Sequence, residues 1–328
     1  MRFEILPRLA MAQAATIDRV IGGLGFGPVA GSSSVVLEVE APLLEAGGPA
    51  VCLLRDGEVE SEGRAGRVRY RIGEGLLFGC LQVSESEFGA DSPARLADAT
   101  RAAYGAVFDC LETLGCRHLV RVWNYLPRIN DVEHGEERYR RFNAGRQQAF
   151  EAAGRALIGA VPAACALGTG GDQLKIAFLA ARGAFVPIEN PRQTSAYRYP
   201  IEYGERSPTF SRAALLSHGG VQLLMISGTA AIVGHRSLHG GDVLAQTREA
   251  IANIEAVLAQ AGECSPCAGL RLADLDLTVY LRRRADLAPV SRLLAHEHGL
   301  PRRPLFVEAD VCRSELLVEI EAYGECAA

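Results

Sequence analysis

The strongest constraint in this chain is that it carries one structural unit twice. Gly79 to Leu179 reads as a strand, a long helix in DATRAAYGAVFDCLETLG, the strand HLVRVWNYL, a second helix and the closing strand QLKIAFLA. Ser227 to Ala322 repeats that order with SGTAAIVG, the helix GDVLAQTREAIANIEAVLAQAG, the strand LDLTVYL, another helix and the closing strand ELLVEIEA. Thr100-Arg101 aligns with Thr247-Arg248 at an offset of 147 residues, which also superposes Leu111 on Leu258 and Gly115 on Gly262. Two copies in register through a whole helix predict two like-built units, so chemistry is to be sought where the copies differ. They differ most at Glu319: pairing Leu174 with Leu316 places Ala177 opposite that carboxylate.

With 328 residues, 48% of them hydrophobic and 22% charged, the chain buries a large core, and its length favours two domains. The expected division is an N-terminal domain over 1–185, a connecting segment over 186–222 that contributes to the site, and a C-terminal domain over 223–328. The expected fold class is α+β, with α/β-like sheets carrying helices on one face. Net charge is −5 and the basic residues are scattered, which argues against nucleic acid or an anionic membrane surface as a partner and for a small molecule. No run of 18 apolar residues exists, and the opening MRFEILPRLAMAQAA lacks a clean basic region followed by a long apolar one, so a cytoplasmic location is expected.

Nine cysteines form an odd set, mostly within apolar strand or helix patterns such as LFGCL and VFDCL, and read as reduced core thiols. Cys264-Ser-Pro-Cys267 has no second CxxC or paired histidines at zinc-site spacing, and His235 and His239 sit in the glycine-containing VGHRSLHGGD with no third ligand nearby. Both read as loops rather than metal sites, and neither a metal nor an organic cofactor is expected.

The first long helix is expected over roughly Pro93 to Leu114, with Leu96, Thr100, Tyr104, Val107, Leu111 and Leu114 on one stripe and a stop at Gly115. Residues 184–222 form a long connection holding four prolines, a length that usually signals function or disorder. Its composition argues for function: Tyr197, Tyr199 and Tyr203 are interleaved with Arg198, Arg206 and Arg212, a mixture suited to a flat anion.

The second copy, with ISGTA, the helix NIEAVLAQAG, VYL and the closing VEIEA, resembles the RidA (YjgF-type) fold over residues 225–322. The strings RVWNYLPRIN, ERYRRFNAGRQQAF, PAACALGTG, IENPRQTSAYRYP and FSRA extend the likeness over almost the whole chain, which resembles the chorismatase family of the 3-hydroxybenzoate-forming type. The resemblance implies two RidA/YjgF-like or chorismate-mutase-like units fused in one chain, present as a monomer or small homo-oligomer. It also implies cofactor-independent cleavage of the enolpyruvyl ether of chorismate to 3-hydroxybenzoate and pyruvate, with 4-hydroxybenzoate as a further product. Hydrolysis to a dihydroxycyclohexadiene carboxylate and a RidA-like imine deaminase are the alternatives. The second is weakened because PLFVEAD replaces the family's arginine-bearing segment before the closing strand. A non-catalytic ligand-binding protein is the remaining reading.

Chorismate carries two carboxylates, and cleaving its ether begins with protonation of the enol ether's methylene. The site therefore needs cationic clamps and an acid that keeps its proton near neutral pH. Arg146 and Arg212 are the candidate clamps, supported by Asn124 and Tyr199. Glu319 is the candidate acid, its pKa to be raised by burial or by neighbouring negative charge. Period-two alternation puts Leu317, Glu319 and Glu321 on one face of the closing strand and Leu316, Val318 and Ile320 on the other. Cys312 and Gly228 match positions that the resemblance associates with the choice between the intramolecular and hydrolytic outcomes.

Overall fold

The structure, a computed structural model, describes residues 2–7, 20–27, 36–44, 50–55, 58–89, 91–264, 269–300 and 303–327. Four strands come first: β1 (Arg2–Pro7), β2 (Val20–Phe26), β3 (Val36–Val39) and β4 (Ala50–Arg55), in a sheet ordered β1-β4-β2-β3. Next come β5 (Val59–Ala65), β6 (Val68–Gly73), β7 (Leu76–Ser84), α1 (Arg95–Leu114), β8 (His118–Pro127), the short pair β9 (Val132–Glu133) and β10 (Glu136–Glu137), α2 (Arg138–Ala152), β11 (Ala163–Thr169) and β12 (Gln173–Ala181). The second half holds β13 (Phe185–Ile188), β14 (Ala213–His218), β15 (Val221–Thr229), the short pair β16 (Ile232–Val233) and β17 (Arg236–Ser237), α3 (Val243–Cys264), β18 (Asp276–Leu281), α4 (Leu287–His298), β19 (Leu305–Glu308) and β20 (Val318–Ala327).

The two main sheets run β11-β8-β12-β7-β6-β5 and β13-β14-β15-β20-β18-β19. Their centres share one plan. In each, a parallel pair (β11 with β8, β19 with β18) lies beside the antiparallel closing strand, which pairs in turn with the strand before the first helix. The duplication is therefore structural, and the fold is α+β with two fused units.

Each sheet buries one face against its own helices, which is why the helices carry apolar stripes. Leu96, Thr100, Tyr104, Val107 and Leu111 of α1 are buried over the first sheet, and α1 ends as expected at Gly115, whose φ of 68° is the left-handed region glycine tolerates. Ile251, Ile254, Val257 and Leu258 of α3 pack on the second sheet. The opposite faces of the two sheets meet in a third core that joins Phe78, Trp123, Tyr125 and Ala177 to Met225, Tyr280 and Tyr323, with Leu24, Phe26 and Leu37 of the amino-terminal sheet.

Two details differ from the sequence reading. The segment 186–222 supplies most of β13 and all of β14, both strands of the second sheet, and residues 189–212 between them hold two single 3-10 turns, Ala196–Arg198 and Ile201–Tyr203. The register also moves the counterpart of Glu319. Lys175 of β12 stands opposite Tyr125 as Glu319 of β20 stands opposite Tyr280, and the two tyrosine hydroxyls lie 3.4 Å apart. The first unit thus has Lys175, not Ala177, at this place, and Lys175 is tied to Glu40 at 2.6 Å.

Cys80, Cys110, Cys116 and Cys165 are free and buried, Cys264 is free and exposed, Cys312 is free and half-buried, and Cys326 is disulfide-bonded, contrary to the expectation of reduced core thiols. Cys267 lies outside the described residues. Among the described residues no helix is long and apolar enough to cross a membrane.

Candidate active site

On β20, Val318, Ile320 and Ala322 point to the helix side, while Glu319, Glu321 and Tyr323 face the other sheet. The alternation read from sequence holds, but the face that carries the glutamates is an interface rather than a solvated surface, and Glu319 is only 3% exposed. Burial pushes its pKa up to about 8; the Glu321 carboxylate adds to the rise, and Arg121 and Arg212 oppose it. Glu321 itself is held by the buried guanidinium of Arg121, from β8 of the other unit, and by the Tyr280 hydroxyl, which donates to it at 2.7 Å.

Gly228 makes room for the Glu319 carboxyl. The β15/β20 ladder is irregular between Ile226 and Thr229, and a Cβ on Gly228 would fall onto that carboxyl while standing 3.1 Å from the Cys165 Cβ. The adjacent Ser227 is anchored across the units: its hydroxyl donates to Ser211 O at 2.7 Å and accepts from Ala164 N at 2.9 Å.

Glu319, Gly228 and Cys312 line two adjoining spaces. The larger, about 240 Å³, is also lined by Tyr199, Tyr203, Phe210, Arg212 and Arg313. The smaller, about 30 Å³, reaches Arg146, Cys165 and Ala166, and Tyr139 and Phe210 border both. Glu319 therefore borders both the space lined by Arg146 and the space lined by Arg212 and Arg313. Glu137, Arg140, Ser314 and Glu315 also line the larger space, with Glu137 and Arg140 3.7 Å apart.

Both clamps expected from sequence are buried and preset. Arg146, 1% exposed, donates from Nη2 to Asn143 Oδ1 at 2.7 Å and lies 5.1 Å from the Phe142 ring centre. Arg212 donates from Nη2 to Thr194 O and to the Tyr199 hydroxyl, both at 2.8 Å, and lies 5.2 Å from the Phe210 ring. The buried Nε of each has no hydrogen-bond partner among the described residues. Buried donors left unpaired cost free energy that an anion in the cavity recovers.

Asn124 is placed differently. It is fully buried behind the cavity, where its amide donates to Cys165 O at 2.7 Å and accepts from the Tyr104 hydroxyl at 2.8 Å. It fixes the strand that carries Cys165 and does not line either space. The Cys312 thiol is pushed up to about 12, first by burial and then by the Glu319 carboxylate, so at neutral pH it is a neutral wall of the cavity and not a thiolate.

Sequence reasoning missed Arg313, Tyr139 and Phe210 as lining residues, while Tyr203 comes from the tyrosine- and arginine-containing segment it expected to contribute. Arg313 directly follows Cys312, itself singled out, but its stacking partners come from a segment about 110 residues away, which spacing does not reveal. The histidine pair is not joined: His235 Nδ1 lies 3.2 Å from the Tyr203 hydroxyl and His239 Nε2 3.3 Å from Glu249. Among the described residues no cluster of His, Cys, Asp and Glu is arranged to hold a metal.

Comparison with known proteins identifies the group to which this arrangement belongs. A family described as "Chorismatase FkbO/Hyg5-like, N-terminal" matches residues 53–180. A protein named "Chorismatase" from Streptomyces rapamycinicus is 40% identical over 252 residues, covering 75% of this chain and 73% of that one. One named "3-hydroxybenzoate synthase" from Streptomyces hygroscopicus is 40% identical over 236 residues, 69% of each chain. The crystal structure of a chorismatase, 33% identical, superposes with a TM-score of 0.83 over 94% of this chain and 93% of that one. With relatives this similar over more than two thirds of their length, the chain belongs to the chorismatase family.

Proposed function

We propose that this protein cleaves chorismate to 3-hydroxybenzoate and pyruvate, with Glu319 as the general acid and no cofactor. The observation that carries the reading is a buried carboxyl that keeps its proton to about pH 8 and borders two adjoining spaces, one lined by Arg146 and the other by Arg212. Relatives named chorismatase and 3-hydroxybenzoate synthase support the same substrate and product.

The site's own groups account for the steps. Arg146 and Arg212 each take one substrate carboxylate, their orphaned Nε–H groups finding acceptors. Glu319 gives its proton to the enolpyruvyl methylene, which becomes a methyl group and leaves an oxocarbenium-like centre. The ring carbon–oxygen bond then breaks with its electron pair passing to the departing pyruvate. The neighbouring ring hydroxyl forms the new bond to that carbon, and its proton returns to the Glu319 carboxylate. The oxygen, now bridging two ring carbons as an epoxide, gives up its bond to the carbon that first carried it. The hydrogen on the other carbon shifts across, and transfer of one hydrogen from there to the oxygen as a proton rearomatises the ring to hydroxybenzoate, so no water is consumed. Glu319, Cys312 and Gly228 wall this region, and the acid's burial disfavours a competing water.

Incubation of the purified protein with chorismate in EDTA, with pyruvate followed by a coupled assay and the aromatic product by chromatography, tests the proposal. Pyruvate and 3-hydroxybenzoate in equal amounts are expected. Pyruvate release no faster than from the Glu319→Gln variant rejects it, and a dihydroxycyclohexadiene carboxylate as the main product replaces the intramolecular route with hydrolysis.

A further inference from the structure

We infer that Arg313 is a substrate-binding residue which, together with Arg212, forms the site for one carboxylate of a dicarboxylate substrate and so sets the preference for dianions over monoanions. This rests on the reading of the cavity as a chorismate site. Arg313 and Arg212 line the same space, which Arg146 does not line; Glu319 borders both that space and the adjoining one that Arg146 lines. They share one aromatic wall, their guanidiniums lying 5.3 Å and 5.7 Å from the Tyr199 ring centre.

Arg313 is also held in place before any ligand arrives. Its Nη1 donates to His235 O at 2.9 Å and to Ser237 Oγ at 3.0 Å, and its guanidinium lies 4.1 Å from the Tyr203 ring centre. These contacts are to neutral groups, while the Glu137 carboxylate lining the same space attracts Arg313 without pairing with it. Among the described residues neither Arg313 nor Arg212 is ion-paired; the Glu137 carboxylate at the rim is engaged instead by Arg140. Two like charges brought to one ring repel each other, and an anion close to both relieves that repulsion as well as forming charge-assisted hydrogen bonds. A single carboxylate needs one such clamp, at Arg146; the second clamp has work only when the ligand has a second carboxylate.

The test uses two stable aromatic ligands of similar size, 3-(1-carboxyethoxy)benzoate with two carboxylates and 3-isopropoxybenzoate with one. Their affinities are measured by calorimetry for the unaltered protein, Arg313→Gln and Arg313→Lys. The unaltered protein is expected to prefer the dicarboxylate by about tenfold or more, the gain typical of one charged hydrogen-bonded contact. Arg313→Gln is expected to lose about tenfold of that preference, with little change in monocarboxylate affinity. Arg313→Lys, which keeps the charge without the planar fork, is expected to lose part of it, and decides the matter if the glutamine variant does not fold. A preference unchanged by these substitutions, or equal weakening of both ligands, overturns the inference alone. An unaltered protein that binds neither ligand and releases no pyruvate from chorismate overturns the reading of the site as well.

Discussion

Glu319 and Glu321 lie two residues apart on the same face of β20, both in the interface between the two units, and only Glu321 is paired with Arg121. One strand thus carries a carboxylate fixed by a cation from the opposite unit beside one left to hold a proton. If Glu319 is the acid, turnover is steady at lower pH and falls above about pH 8, as the carboxyl gives up its proton. Glu321→Gln removes the neighbouring charge that adds to the rise, so the alkaline limb of the kcat profile is expected to move to lower pH. An unmoved limb in a folded variant would show that Glu321 does not influence the acid.

The same carboxyl carries a stability signature. Its folded pKa of about 8 exceeds the ordinary value of 4.5, so between these pH values the folded state holds a proton that the unfolded state has released, and stability falls as pH rises. Glu319→Gln removes this dependence. The variant is expected to gain Tm relative to the unaltered protein on going from pH 5 to pH 8, measured by thermal unfolding at both values; an equal difference at the two would rule out the raised pKa.

Gly228→Ala places a methyl group where the Glu319 carboxyl sits. Since misplacement of a reacting group by an ångström costs on the order of 100-fold, kcat is expected to fall by about that factor. A near-native thermal transition would separate displaced chemistry from lost fold.

Arg146→Lys keeps the charge but not the planar fork or the hydrogen bond geometry to Asn143. Chorismate KM is expected to rise about tenfold or more, the cost of a charged hydrogen bond. An unchanged KM would remove Arg146 from the binding site.

Cys312→Ala enlarges the wall beside Glu319 without removing an ionised group, because the thiol is neutral. Pyruvate release is expected to persist while the share of dihydroxycyclohexadiene carboxylate among the products increases, read by chromatography. Loss of all pyruvate release in a folded variant would instead give the thiol an indispensable part.

The sequence by itself determined the duplicated plan, the end of α1 at Gly115, and the set of side chains on the glutamate face of β20, because these depend on local periodicity and on glycine's access to positive φ. It also singled out Arg146, Arg212, Tyr199, Gly228, Cys312 and Glu319, which the fold gathers around two adjoining spaces. Only the tertiary structure decided that the glutamate face is buried, since burial there comes from Arg121, Trp123 and Tyr125 of a strand roughly 200 residues earlier in the chain. The same long-range packing set Asn124 behind the cavity, brought Arg313 onto Tyr203, and made Lys175 rather than Ala177 the counterpart of Glu319. Period-two alternation says which side chains share a face; what covers that face, and so whether a carboxyl there keeps its proton, depends on sheet packing that no local pattern encodes.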